Sequence, residues 1–261
     1  MGVRCDSVSL VYQTRTGLTA ALDDVSLAVD SSEFVCLVGP SGCGKTSLLK
    51  VLAGLIEPSE GRLTVSLEPD KERLPRALVF QDHCVFPWMS VLENVSFGLE
   101  FRSMPRAEKH AQALEFIDQV GLAAFADNYP HELSVGMRQR VSLARAFVTN
   151  PQMLLMDEPF AALDALTKLV LQEELLRMWS RSRALIVYVT HDLTEAVLLG
   201  DRVFVMSGRP GSILMDVSIP LPRPRNLQDR GRQEIVDIEQ HLWSALEKDV
   251  REGLGVLDLA Q

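Results

Sequence analysis

The sequence predicts an α/β protein with a core parallel sheet, an antiparallel β subdomain at its N-terminus and an inserted α-helical subdomain. Three observations predict it. Short, nearly continuous apolar runs at 33–40, 153–157, 184–190 and 202–206 read as strands buried on both faces, and helix-patterned stretches alternate with them. Residues 6–14 and 22–30 are β-rich and partly alternating, split by a turn around Thr16 and Gly17, as antiparallel strands are. From about Val91 to Val148 the pattern turns helical, broken at Pro105, Gly121 and Pro130.

Taken in order, the run Glu33–Pro40 is expected to be a buried strand and Lys45–Leu55 a helix. Further β-like runs follow at 62–67 and 76–81, and then the helical lobe, placed at about 86–148. A helix is expected at 165–180, between two core strands. The Pro-rich IPLPRPRN at 219–226 is expected to end the core, so that one domain spans 1–220 and residues 221–261 form a helical tail. That tail is too short for a second globular domain.

The length of 261 residues and 47% hydrophobic content suit a single folded core carrying an inserted lobe. A formal charge of −9 argues against a general nucleic-acid binder, whose footprint is a basic face. The four cysteines, Cys5, Cys36, Cys43 and Cys84, form no CxxC pair and no metal-ligand spacing with histidine, and read as free thiols in a reducing compartment. The start, MGVRCDSVSL, lacks the apolar centre of a signal peptide, and no apolar run is long enough to span a bilayer. A cytosolic protein is expected, with any membrane role exercised through a partner.

Chemistry concentrates in GPSGCGKT, Gly39–Thr46, which matches G-x-x-x-x-G-K-[ST] between a predicted strand and a predicted helix. Glycines let the backbone turn tightly enough to point successive N–H groups at phosphate oxygens, and the helix adds its positive dipole end. Lys45 can reach the terminal phosphates and the Thr46 hydroxyl can ligate Mg²⁺. This is a nucleoside triphosphate site. Asp157 closes the run Met153–Met156, at the carboxyl edge of a sheet, where it can hold Mg²⁺ through water. Glu158 follows, is expected to point away as the next strand residue, and can act as general base toward water. His191 ends the next strand and can hydrogen-bond a γ-phosphate, although taken alone a histidine there is more often an N-cap neighbour or a surface residue. Gln81, also at a strand end, can ligand metal or orient water.

One stretch remains, LSVGMRQR, Leu133–Arg140, whose Arg138 and Arg140, with Arg145 beyond, read as a solvated or salt-bridged helix face. With GPSGCGKT, Gln81, MLLMDEP, Ala162-Leu163-Asp164 and His191, in that order, it resembles the nucleotide-binding subunit of an ATP-binding cassette transporter over nearly the whole chain, to about residue 220. Pro87-Trp88, the Arg209-Pro210-Gly211 turn and LPRPR narrow the resemblance to importers of the nitrate, sulfonate and taurine type. The resemblance implies a P-loop NTPase core with a RecA-like sheet. It implies that Tyr12 stacks on adenine, while Gly39, Ser41, Gly42, Cys43, Gly44, Lys45, Thr46 and Ser47 cradle the phosphates. Thr46, Gln81 and Asp157 would serve Mg²⁺, with Gln81 coupling the metal site to the helical lobe. Glu158 would be the catalytic base and His191 the γ-phosphate switch. Ser134 and Gly136 would close over ATP held by a second chain in a head-to-tail, ATP-dependent homodimer, with Asp164 contacting across it. The segment Phe86–Val91 would help receive a helix from an integral membrane permease, and a solute-binding protein would join indirectly. The chain would then sit peripherally on the cytoplasmic face of the cell (inner) membrane and bind no nucleic acid.

Val135 stands where this family usually has glycine. A β-branched residue resists positive φ. If the position demands it, the strain is about 1–2 kcal/mol, roughly a tenfold loss of closed dimer per site. If it does not, the valine merely packs. The competing readings are a cassette ATPase outside transport, a P-loop kinase or GTPase, and a weakened half of a heterodimer. The first usually carries long coiled-coil inserts or paired cassettes, the second has no use for LSVGM, and the third rests on Val135 alone.

Overall fold

The computed structural model describes residues 2–253 except 16, 69, 71, 72, 82, 83 and 226; Thr16 of the expected turn thus lies outside the described residues. The chain divides into two units, Met1–Leu67 with Leu185–Gln261, and Glu68–Ala184.

The first unit opens with strands β1 (Gly2–Thr14) and β2 (Gly17–Asp30), antiparallel in a register running from Gly2 opposite Asp30 to Thr14 opposite Gly17. Both extend beyond the expected bounds at their N-terminal ends, because residues 2–5 and 17–20 also pair along the backbone. Strand β3 (Phe34–Val38) is buried at every residue and leads through residues 39–44 into helix α1 (Lys45–Leu52). Strand β4 (Glu60–Ser66) pairs antiparallel with β1, giving a three-stranded sheet in the order β2-β1-β4. Val3, Cys5, Val8 and Leu10 of β1 are buried along it.

The second unit holds β5 (Arg76–Val79), α2 (Val91–Phe97), α3 (Arg106–Gln119), α4 (Val135–Phe147), β6 (Met153–Asp157) and α5 (Ala165–Ser182). β5 and β6 are parallel, Arg76 opposite Met153. Each helix starts where local chemistry says it should. Ser90 and Glu93 form a reciprocal capping box on α2, Pro105 precedes α3, Ser134 caps α4 and Asp164 caps α5. α2, α3 and α4 pack together around Val91, Val95, Ala113, Ile117 and Leu143, all buried.

The chain returns to the first unit with β7 (Leu185–Val189), α6 (Leu193–Leu199), β8 (Arg202–Met206), β9 (Ile213–Ser218) and α7 (Gln233–Gly253). β3 lies between β7 and β8, parallel to both, and β9 adds antiparallel to β8. β9 has no counterpart in the sequence expectation: ILMDVS alternates and no residue of it is fully buried, so it lacks the apolar run that marks the others. The Pro-rich segment is tied into the first unit, and buried residues of the next helix follow it. Arg225, almost wholly buried, donates to the carbonyls of Val197, Gly200 and Leu221, and Arg223 donates to Leu199 O at 2.6 Å and to Asp201 Oδ1 at 2.7 Å. These bonds satisfy the carboxyl end of α6. Burial pulls the Arg225 guanidinium down to about 10. Helix α7 packs on α6 and β8 through buried Ile235, Leu242 and Leu246. Among the described residues no helix is long and apolar enough to cross a membrane.

Candidate functional site

The loop between β3 and α1 is shaped by two glycines at positive φ, Gly42 (77°) and Gly44 (109°). Gly44 is the residue before α1 and supplies no side chain to cap it, so the first-turn N–H groups are left to an outside acceptor. Close approach requires Gly44 as well: a Cβ there would stand 2.6 Å from Ala21 O. Lys45 is 6% exposed and folds back over its own loop, donating from Nζ to Gly39 O at 2.7 Å and Pro40 O at 2.9 Å. Thr46 and Ser41 are exposed. Burial holds the Cys43 thiol above its ordinary range, with Lys45 pulling the other way, so it stays a neutral packing group.

Two expected neighbours arrive in the same unit. Tyr12, on β1, donates its hydroxyl to Ser47 Oγ at 3.2 Å, which sets its half-buried ring beside the loop. His191 follows β7 and lines one cavity with Gly39, Pro40 and Ser41. Its turn is fixed from beneath. The buried Glu195 carboxylate accepts from Tyr188 Oη at 2.6 Å and from Thr190 Oγ1, and Thr190 Oγ1 accepts from the Asp192 N–H at 3.1 Å.

The remaining expected residues lie in the second unit. Asp157 is buried as the last residue of β6. Glu158 departs from the expectation. It is not the next strand residue but sits in the left-handed region at φ 44°, so a backbone turn rather than strand alternation aims its side chain. Gln81 is exposed just beyond β5. Ser134 accepts the Met137 N–H at 3.3 Å, and Asp164 accepts the Thr167 N–H at 3.0 Å; hydrogen bonding from the Thr167 side chain first, and then from its N–H, lowers the Asp164 carboxyl below its ordinary range. Gly136 lets these two helix starts meet, since a Cβ there would press to 3.0 Å from Thr167 Cγ2. Val135 is the first residue of α4, outside the positive-φ residues, and is 39% exposed. The position makes no demand that a β-branched residue resists.

Two features escaped the sequence. The arginines of α4 are half-buried rather than solvated. Arg138 donates to Leu133 O at 2.6 Å, Arg140 to Val120 O at 3.2 Å, and Arg145 lies 5.1 Å from the centre of the Phe86 ring. Burial lowers the Arg145 guanidinium. The segment carrying the exposed Trp88 is likewise held from within. Buried Asn94 donates to the carbonyls of Phe86, Met89 and Ser90 and accepts the Phe86 N–H at 2.8 Å.

Residues 22–161 match the family model for the ABC transporter. The chain belongs to the ABC transporter family. It is 42% identical over 255 residues to an uncharacterized ABC transporter ATP-binding protein of Methanocaldococcus jannaschii, covering 97% of this chain and 94% of that protein. It is 44% identical over 214 residues to the taurine import ATP-binding protein of Rhizobium johnstonii, covering 81% and 82%. Against the nitrate import ATP-binding protein of Synechocystis sp. it is 41% identical over 225 residues, covering 85% and 84%. The dimeric structure of a bacterial ABC transporter cassette superposes with a TM-score of 0.73 at 29% identity, covering 84% of this chain and 100% of that one. The same cassette in a post-hydrolysis state, bound to ADP and Pi, superposes equally well. This ABC protein is an ATP-binding protein and an ATPase.

Proposed function

We propose that this ABC protein is the ATP-hydrolysing subunit of a membrane importer that takes up a small anionic or zwitterionic solute of the nitrate, sulfonate or taurine kind. The observation that carries the reading is the start of α1, a helix left uncapped behind a glycine loop with a lysine folded across it. The cassette runs over 1–220 with its helical lobe at about 86–148, and residues 221–261 serve as its tail.

In this reading the N–H groups of residues 42–47 take the phosphate oxygens, and Lys45 leaves the Gly39 and Pro40 carbonyls for the terminal phosphates. Tyr12 stacks on the adenine. The Thr46 hydroxyl, the Asp157 carboxylate and the Gln81 amide each offer the hard oxygen donor that Mg²⁺ prefers. Bound there, the ion would neutralise charge developing on the phosphates. Glu158 takes a proton from the attacking water and His191 hydrogen-bonds the γ-phosphate. Ser134 and Gly136 close over the ATP of a second copy, head to tail, and Asp164 meets that copy.

The Phe86–Val91 segment, with Trp88 69% exposed, receives a helix of the permease. The chain then lies peripherally on the cytoplasmic face of the membrane, and a solute-binding protein hands cargo to the permease. The helical φ of Val135 removes the argument for a weakened half-site.

The test is co-purification from native membranes with Trp88 intact and as Trp88→Ala. A permease that accompanies the wild-type chain and is lost from the variant supports the reading. Recovery of the wild-type chain from cytosol with no membrane protein would overturn it.

A further inference from the structure

The phosphate loop is seated on the turn that follows β8. Gly211 of that turn lies so close to the Cys43 carbonyl that a Cβ at Gly211 would collide with it, and a Cβ at Gly39 would stand 2.9 Å from Met206 O. The turn is closed on itself, with Ser207 N donating to Ser212 O at 2.9 Å and Ser212 N to Ser207 Oγ at 2.8 Å. It is stitched to β2, with Gly211 N donating to Ala21 O at 3.0 Å and Asp23 N to Gly211 O at 2.9 Å. Its remaining end is held by the C-terminal helix: Gly208 N donates to Asp249 Oδ2 of α7 at 2.6 Å. The same helix reaches the site a second way. Trp243 and Asp249 line a cavity of about 350 Å³ whose other walls include Gly39, Ser41 and His191.

We propose that Asp249 is a positioning residue for the phosphate loop, and that α7 thereby sets the nucleotide affinity of the site. This rests on the reading of residues 39–47 as the nucleotide site. A carboxylate accepting a backbone N–H at this distance is a charge-assisted bond, and it pins the turn at a glycine, where the backbone is otherwise freest. Released there, the turn lets Gly211 drift from the Cys43 carbonyl, and the loop must be reordered each time a phosphate binds. That cost falls on affinity. The chemical step is expected to be untouched, because the Asp249 carboxylate is engaged by the turn through the Gly208 N–H.

The experiment uses the full chain and equilibrium binding of MgATP, beside steady-state ATPase kinetics. Asp249→Ala is expected to weaken binding by about three- to tenfold, raising KM with kcat within about twofold. Asp249→Asn keeps an oxygen that accepts from Gly208 and is expected to bind as wild type does. Trp243 gives a readout independent of whether Asp249→Ala folds. With three tryptophans in the chain, MgATP should change the emission of wild type, and most of that change should be lost in Trp243→Phe. Wild-type affinity in a folded Asp249→Ala, an Asp249→Asn as weak as the alanine variant, or an emission change that largely survives Trp243→Phe would each overturn the proposal. Failure of the wild-type chain to bind MgATP would instead sink the reading of the site itself.

Discussion

Helices α1 and α4 both begin at residues the sequence singles out, and they begin in opposite ways. α1 follows a glycine at positive φ and has no side-chain cap; its start is hemmed in by Ala21, Leu22 and the Lys45 side chain. α4 follows Ser134, which caps it with its own hydroxyl, and its first residues, Ser134 and Val135, are exposed. An uncapped, enclosed helix start leaves its N–H groups to a small anion. A capped, exposed one is complete as it stands and serves as a surface for another body. The difference bears on the proposal: an uncapped start suits a bound anion, whereas a capped, exposed one leaves its surface open to a second body.

The sharpest way to break that comparison is at Lys45. Lys45→Ala removes the charge proposed to reach the phosphates, and MgATP affinity should fall by about a hundredfold or more. Binding unchanged in equilibrium titration would mean that the enclosed helix start is structural only. Next comes Gly211→Ala, which forces a methyl group onto the Cys43 carbonyl. The expected loss is about 1–3 kcal/mol of stability with weakened nucleotide binding, read by thermal unfolding and titration. Stability at the wild-type value would show that the turn gives way freely.

At the other helix start the effects are smaller and of another kind. Ser134→Ala should cost about 1 kcal/mol for the lost cap. If, as proposed, the hydroxyl acts on a second chain's nucleotide, binding of MgATP to the isolated chain should persist while the ATPase rate falls; an unchanged rate would confine Ser134 to capping. The smallest effect belongs to Val135→Gly. Since the position is helical, glycine relieves no strain and removes about 0.5–1 kcal/mol of helix propensity. ATP hydrolysis no faster than wild type is expected, and a severalfold faster rate would restore the strain argument.

How much of this the sequence discloses depends on the length scale of the cause. β6 and β8 are bounded correctly because a buried parallel strand is a local apolar run. The phosphate loop is legible because glycine, lysine and threonine spacing is itself the chemistry. β9 is not, since its half-buried residues owe their strand to pairing with β8, a nonlocal event. α6 is short and its fixed start depends on buried Glu195 meeting Tyr188 and Thr190 in three dimensions. The left-handed turn at Glu158 has no composition signal, because glutamate does not favour that region. The α4 arginines misled because charge pattern suggests a solvated face, while carbonyls at Leu133 and Val120 and the Phe86 ring supply partners from distant segments. The Arg209–Gly211 turn carries its meaning only through contact with Cys43, which no spacing rule reveals.

The most direct test of the central claim is the mass of full-length Glu158→Gln by light scattering, with and without MgATP. If the enclosed helix start holds ATP and the exposed one closes over it from a second copy, stalled hydrolysis should trap a nucleotide-dependent dimer. A chain that binds MgATP and remains a monomer would contradict the account.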